Sequence, residues 1–443
     1  VLVKDQSTAS QNGIYTVVAS GTASRDTDFD AIGELAGQLV IIQEGSTNAE
    51  KMFLCTTDSD ASLGSDTITF TVVQPANVGD VTLTGAVSLA GNTTIDTSSS
   101  GGTVGFTSTI DGANTLTITS GAGNVDIAGI IGGTTAVGNT AINNASGAGT
   151  IDILQIGDGT PAAGISGTLD IGNTATNQVE FDGTRYNIGG NVTVESKSGT
   201  HIDFTGADPS FTTTDASSTI NFSTGTIEIA TTGLTMSSNA GNISIGDIDG
   251  TADEDISINA GSGTLAVGAI GTGTANGINT VGLTSSTSIT LSGAINTSTS
   301  AGNTVTLTGP VIISGAVDID TDTTGADGTV EFTSTIVGDG AAGTTDNLTI
   351  DSGGSSITFG GTIGVAAPIA GFNVNQDGGT VALSIPQIGT AGSTAGTSGT
   401  TNIGTTSSAT VAMSAASYKF GGETNIKAAS ASTGITFSGA SPC

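Results

Sequence analysis

Gly102-Thr103-Val104-Gly105-Phe106-Thr107-Ser108-Thr109-Ile110 decides the fold, because it is written a second time, as Gly328-Thr329-Val330-Glu331-Phe332-Thr333-Ser334-Thr335-Ile336. The match runs on from Asn114-Thr115-Leu116-Thr117-Ile118 to Asn347-Leu348-Thr349-Ile350, and from Gln155-Ile156-Gly157 to Gln387-Ile388-Gly389. Asp255-Ile256-Ser257-Ile258-Asn259 is a further copy of the strand text. Extra residues fall only around Gly338–Asp346, where a corner loop can bulge without disturbing a stack. Between the copies the same idiom continues in Asn124-Val125-Asp126-Ile127, His201-Ile202-Asp203-Phe204, Thr219-Ile220-Asn221-Phe222, Asn242-Ile243-Ser244-Ile245, Ser288-Ile289-Thr290-Leu291 and Thr304-Val305-Thr306-Leu307. Each alternates apolar and polar residues, which puts the apolar ones on one face of a strand. Strands this short are not stable alone. Repetition supplies the neighbours they need, and the expected fold is all-β, with a long parallel solenoid whose inward Ile, Val and Leu stack in columns.

Composition agrees. Glycine occupies 69 of 443 positions, aromatic residues are 4% and tryptophan is absent, so the core is built from β-branched and small side chains. Gly and Asn suit corners with positive φ. Charged residues are 10% and mean hydropathy is +0.19, which argues against a disordered chain. The region offers no extended helical stripe and no capping box.

The text changes near Pro75. Residues 1–76 are more varied and read as a small β module; 77–390 read as the solenoid shaft; 391–443, richer still in Thr, Ser, Ala and Gly, read as further coils or a cap. That last segment is also the expected contact with a partner subunit.

In the first module, Val1-Leu2-Val3-Lys4-Asp5-Gln6 and Gln11-Asn12-Gly13-Ile14-Tyr15-Thr16-Val17 are followed by Arg25-Asp26-Thr27-Asp28, Glu34-Leu35, Glu44-Gly45-Ser46-Thr47-Asn48-Ala49 and Ile68-Thr69-Phe70. This ordered set resembles a module of bacteriophage tail-fibre and other virion structural proteins. It departs from that pattern in having small residues where an aromatic usually precedes the arginine. Gly121-Ala122-Gly123-Asn124-Val125-Asp126-Ile127 and Ile130-Ile131-Gly132-Gly133-Thr134-Thr135-Ala136-Val137-Gly138 are similar to repeats of filamentous-haemagglutinin-type bacterial surface proteins. The two resemblances imply a right-handed β-helix shaft, commonly homotrimeric, working as a stiff rod for host attachment on a virion surface and bringing no catalytic residues. A bacterial surface adhesin or matrix protein, and a polysaccharide-degrading tailspike, are the alternatives. Other virion or surface proteins and a host receptor or glycan are the implied partners.

Seven Lys and Arg face 39 Asp and Glu, a net charge of −32. Such a surface repels phosphate backbones, so nucleic acid is not an expected partner. No apolar run is long enough for a membrane-spanning helix. The chain starts at Val1 without a signal peptide and reads as a fragment or processed product. Two cysteines, Cys55 and Cys443, make no disulfide framework, and Cys55 in Met52-Phe53-Leu54-Cys55 reads as a small buried hydrophobe.

The chemistry inventory is thin. His201 is the single histidine, which leaves no histidine-based metal cluster, and it reads as a surface residue beside Asp203. No nucleophile elbow or phosphate loop is present. Asp182, Arg185 and Tyr186 are the candidates for sugar cleavage; a turn with a local Asp–Arg pair is the plainer reading. The expectation is a protein without enzyme activity. Calcium is the more plausible ligand, since it takes carboxylates gathered at turns. One candidate group is Asp247, Asp249, Asp253 and Asp255, with Glu254 between them; the other is Asp318, Asp320 and Asp322, whose alternation places them on one strand face. Neither has the spacing of an EF-hand, and solvated turns are the competing reading.

Overall fold

The computed structural model describes residues 1–43, 48, 51–73, 79–143, 147–159, 164–272, 277–298, 300, 302–323, 326–341, 345–376, 382–390, 396–429 and 434–439. The protein is all-β, 2% helical, and divides into two compact units, Val1–Gly79 and Asp80–Cys443. Pro75, Glu44–Thr47, Ala49 and Cys443, singled out in the sequence, lie outside the described residues.

The first unit holds two antiparallel three-stranded sheets. One is Leu2–Val3, Gly13–Thr16 and Ser24–Arg25; the other is Leu39–Ile41, Met52–Cys55 and Phe70–Val73. Leu35, Phe53, Cys55, Ile68 and Phe70 form its core. The Arg25 guanidinium donates to the carbonyls of Asn12 (3.0 Å) and Ser10 (2.9 Å) and lies over the Tyr15 ring. Three residues that carry the first resemblance thus make one contact set.

The second unit is a parallel β-solenoid of about 13 turns. Each coil visits three faces. On the first, an inward aliphatic column runs from Val104 through Val125, Ile151, Val179, Ile202, Ile227 and Ile248 and continues through Ile270, Ile295, Ile319, Ile350 and Val374 to Ile403. A second column passes Ile110, Ile131, Ile156, Tyr186, Phe211, Met236, Ile258, Leu283, Leu307 and Phe332. The third passes Leu116, Thr140, Leu169, Val192, Ile220, Ile243, Leu265, Ile289, Val311 and Ile336. All of these members are buried. The main chain ties coil to coil: Val192 N–H donates to Thr219 O (2.8 Å), Ile220 N–H to Asn242 O (2.9 Å) and Ile248 N–H to Ala269 O (2.8 Å).

The corners explain the polar composition. Buried hydroxyls turn inward to close the bend: Thr97 donates to Gly102 O, Ser120 to Gly123 O and Ser238 to Gly241 O, each at 2.6 Å. Asparagine does something other than adopt positive φ. Asn124, Asn139, Asn191 and Asn242 sit just before strands, and each side-chain oxygen accepts an N–H from the next coil at 2.9–3.0 Å. Asn143 is the asparagine with a left-handed backbone (φ 52°). Gly132 is a corner where glycine is required: φ is +66°, and a Cβ would lie 1.9 Å from Gly164 O.

Five aromatics gather in one cluster, Phe181, Tyr186, Phe204, Phe211 and Phe222. Phe181 stacks on Phe204 with centroids 5.0 Å apart, Tyr186 stacks on Phe211 at 5.6 Å, and the two pairs meet edge to face.

The internal duplication reaches further than the quoted text. Gly164-Ile165-Ser166-Gly167-Thr168-Leu169-Asp170-Ile171-Gly172 answers Gly396-Thr397-Ser398-Gly399-Thr400-Thr401-Asn402-Ile403-Gly404, and Tyr186-Asn187-Ile188-Gly189-Gly190 answers Tyr418-Lys419-Phe420-Gly421-Gly422. Local detail is kept. Gln155 and Gln387 each donate to the carbonyl of the glycine two residues on, at 2.8 and 2.7 Å. Tyr186 and Tyr418 hydroxyls each donate to a carbonyl of the preceding coil, Leu154 O at 3.2 Å and Ile385 O at 3.0 Å. The copies do not lie on the same face, however. Leu116–Thr119 is on the third face and Asn347–Asp351 on the first; Ile156 is on the second and Ile388 on the third. The second copy runs one face ahead of the first. All three faces share one alternation, so the same text folds on any of them.

Truncating a buried column member leaves a cavity in a tightly filled interior. Ile202→Ala is therefore expected to cost about 2–5 kcal/mol in urea unfolding. The outward Thr193→Ala in strand Val192–Glu195 should stay within about 0.5 kcal/mol.

Candidate functional site

The residues between the inward positions of the first face point outward, and in-register stacking aligns them. In six successive coils they are Asp126, Asp152, Glu180, Asp203, Glu228 and Asp249. Neighbouring strands are roughly 4.8 Å apart, so each carboxylate faces its like across a short gap. Farther along the same column, Asn296 pairs with Asp320 and Asp320 with Asp351. A parallel outward column brings Gln178 and His201 alongside the ladder.

The crowding shows in the protonation of the ladder. Burial, with Asp182, Glu180 and Asp126 beside it, pushes the Asp152 carboxyl up to about 7. Burial and the neighbours Asp182 and Asp203 raise Glu180. Burial raises Asp203 as well, opposed by a hydrogen bond from Gln178 and by His201. Asp318 and Asp320 are raised by burial and by carboxylates around them, Asp351 among them.

His201 is half exposed, and its Nδ1 lies 3.1 Å from Glu228 Oε2 in the next coil and 3.9 Å from Asp203 Oδ1. Among the described residues this is the one group that brings three His, Cys, Asp or Glu ligand atoms within 4.8 Å of one another.

The two aspartate groups expected to hold calcium are dispersed. Asp247 sits at a corner, and its Oδ1 accepts the Ala269 N–H at 2.8 Å, the same coil-tying role that asparagine plays elsewhere. Asp249 belongs to the ladder. Asp253 has a left-handed backbone (φ 59°) and accepts the Ser300 hydroxyl at 2.5 Å. Asp255 lies on the second face, in Glu254–Asn259, and accepts from Asn279 Nδ2 at 3.3 Å. Glu254 is fully buried, and its Oε1 takes the N–H groups of Thr251 (2.9 Å) and Ala252 (2.6 Å), which pins the turn. In the other group, Asp318 and Asp320 share the outward side of Ala316–Asp320, but that strand ends there. The chain bends at the buried Thr321, and Asp322 enters a short hairpin opposite Asp327. Asp322 therefore does not share their face. Alternation in sequence implies a common face only while the strand lasts.

Asp182, Arg185 and Tyr186 do not converge either. Tyr186 is buried, and its hydroxyl accepts the Gly183 N–H at 2.7 Å. Arg185 is exposed, and among the described residues no ion pair joins it to Asp182. Asp182 instead crowds Asp152 and Glu180.

Asp126, Asp152, Glu180 and Glu228 were not expected as site residues. Their signal is a recurring triplet with an acid between two apolar residues: Val125-Asp126-Ile127, Ile151-Asp152-Ile153, Val179-Glu180-Phe181, Ile202-Asp203-Phe204 and Ile227-Glu228-Ile229. Comparison with known protein-family models, with curated proteins and with solved structures finds no match.

Carboxyls raised in the folded state bind protons that the unfolded chain has already lost. Their contribution to stability is full below the ordinary carboxyl range, near pH 4, and is lost as pH rises through about 7 for Asp152. The melting temperature is therefore expected to fall between pH 4.5 and pH 8. Asp152→Asn should raise the melting temperature at pH 8 and leave it nearly unchanged at pH 4.5, measured by circular dichroism.

Proposed function

We propose that the chain is a structural fibre protein of a virion, a tail fibre or decoration protein, working as a stiff rod that holds an attachment surface away from the particle. The observation that carries this reading is the unbroken first-face column from Val104 to Ile403, tied coil to coil by main-chain hydrogen bonds. About 13 turns at a rise of roughly 4.8 Å give a shaft on the order of 60 Å long. Bending it would mean breaking axial hydrogen bonds in step, which favours stiffness and resistance to proteolysis. The resemblance of residues 1–74 to virion fibre modules favours a virion over a bacterial adhesin. A homo-oligomer belongs to the same reading; Ile435 and Phe437, exposed on Gly434–Phe437, offer apolar surface for it. Calcium, where bound, would act on this shaft by relieving repulsion between stacked carboxylates.

Antibodies raised against residues 102–272 should label filaments projecting from intact phage particles in electron micrographs. Label on bacterial cell surfaces instead would favour the adhesin, and label confined to the cell interior would contradict both.

One observation favours a second reading, a polysaccharide-cleaving tailspike. Asp152, pushed up to about 7 beside Asp182 and Glu180, has the protonation a general acid needs near neutral pH. Incubation with capsular polysaccharide distinguishes the two. The rod reading expects no new reducing ends. Their formation by the protein, and its loss in Asp152→Asn, would establish cleavage.

A further inference from the structure

Asp203 is 9% exposed, and its two oxygens have different surroundings. Oδ2 takes the Gln178 amide, whereas Oδ1 is buried and accepts no hydrogen bond. A buried carboxylate oxygen without a donor is costly, and a nearby cation is the usual remedy. Two further ligand atoms stand where a cation could be shared: His201 Nδ1, 3.9 Å away, and Glu228 Oε2, a second carboxylate oxygen 3.1 Å from the same nitrogen.

We infer that His201, Asp203 and Glu228 form a binding site for a divalent transition metal, with zinc the best fit. The donor set is one imidazole nitrogen and two carboxylate oxygens, which suits zinc better than calcium or magnesium. Tetrahedral zinc with bonds of about 2.0–2.2 Å needs ligand atoms about 3.3–3.6 Å apart. The three atoms here already lie within 4.8 Å of one another. His201 and Glu228 side chains are 47% and 32% exposed, so both are free to rotate the remaining distance. Asp203, held by Gln178, is the fixed point. Water supplies the fourth ligand.

The fold builds this site from two coils. His201 and Asp203 are two apart in one strand and so share its outward side, and Glu228 stands opposite Asp203 in the next coil. Glu180 and Asp249 flank the group along the ladder and add attraction for a cation without completing its shell. The sequence shows one histidine with Asp203 near it, and the third ligand, Glu228, comes from the next coil, which is why counting histidines misses the site.

Isothermal titration of the purified chain with zinc, in the presence of millimolar calcium, tests this. One equivalent should bind. His201→Ala and Glu228→Gln should each weaken binding at least tenfold, and Asp126→Asn, in the same ladder but three coils before Asp203, should not. Cobalt supplies a second readout: a d–d absorption band of imidazole-ligated cobalt should appear with the native chain and vanish in His201→Ala. Because the His201 side chain is half exposed, that variant is expected to fold, and circular dichroism checks it. Absence of zinc uptake, uptake abolished by calcium, or uptake unchanged by His201→Ala would overturn the assignment and leave His201 as an ion-pair partner of the ladder.

Discussion

The hydrogen bond between one coil's N–H and the next coil's carbonyl fixes everything else in the second unit. Ile227 N–H to Asp247 O, Ile248 N–H to Ala269 O and Ile270 N–H to Ala294 O are three successive links of that kind. They hold neighbouring strands in parallel register, and register decides which side chains meet. Inside, it lines up Ile and Val into dry columns. At the corners it lets an asparagine oxygen serve a backbone donor in the following coil. No aromatic-rich globular core is needed; one belt gathers Phe181, Tyr186, Phe204, Phe211 and Phe222, and a smaller one Phe332, Phe359 and Phe372.

The same register has a cost on the outside. Parallel stacking repeats each surface residue's position in the next coil, so an acid that recurs in the text faces another acid in space. Asp152 and Glu180 are raised by burial first and by neighbouring acids second, whereas burial alone raises Asp203. A protein with net charge −32 could have spread these groups apart. Here six of them follow one another in successive coils of one column, which makes the first face the part of the solenoid most sensitive to pH and to cations.

Strand identity was legible in the sequence. His201–Phe204 and Ser288–Leu291 coincide with observed strands, and Thr304–Leu307 and Thr219–Phe222 miss by a residue or two at their ends. Alternation over four or five residues is a local property, so reading it needs no knowledge of the coil. The partners of each strand were not legible. Val104 pairs with Val125, but Ile319 pairs with Ile350, because corner loops differ in length. Coil length must be known before Glu228 can be placed beside His201, and no local pattern reports it. Hence aspartates adjacent in the text, such as Asp249 and Asp253, were grouped although the chain turns between them, while the ladder went unseen. The duplication misleads in the same way: near-identical strand text at Val104 and Val330 lies on different faces.

Amide hydrogen exchange, read residue by residue by mass spectrometry or NMR, reports the coil-to-coil bonds directly. The inward-strand amides of Val192, Ile220, Ile227 and Ile248 should exchange orders of magnitude more slowly than those of exposed turn residues such as Ser198 and Gly199. Uniformly rapid exchange across residues 102–272 at neutral pH would mean that the axial ladder does not exist and would contradict the account.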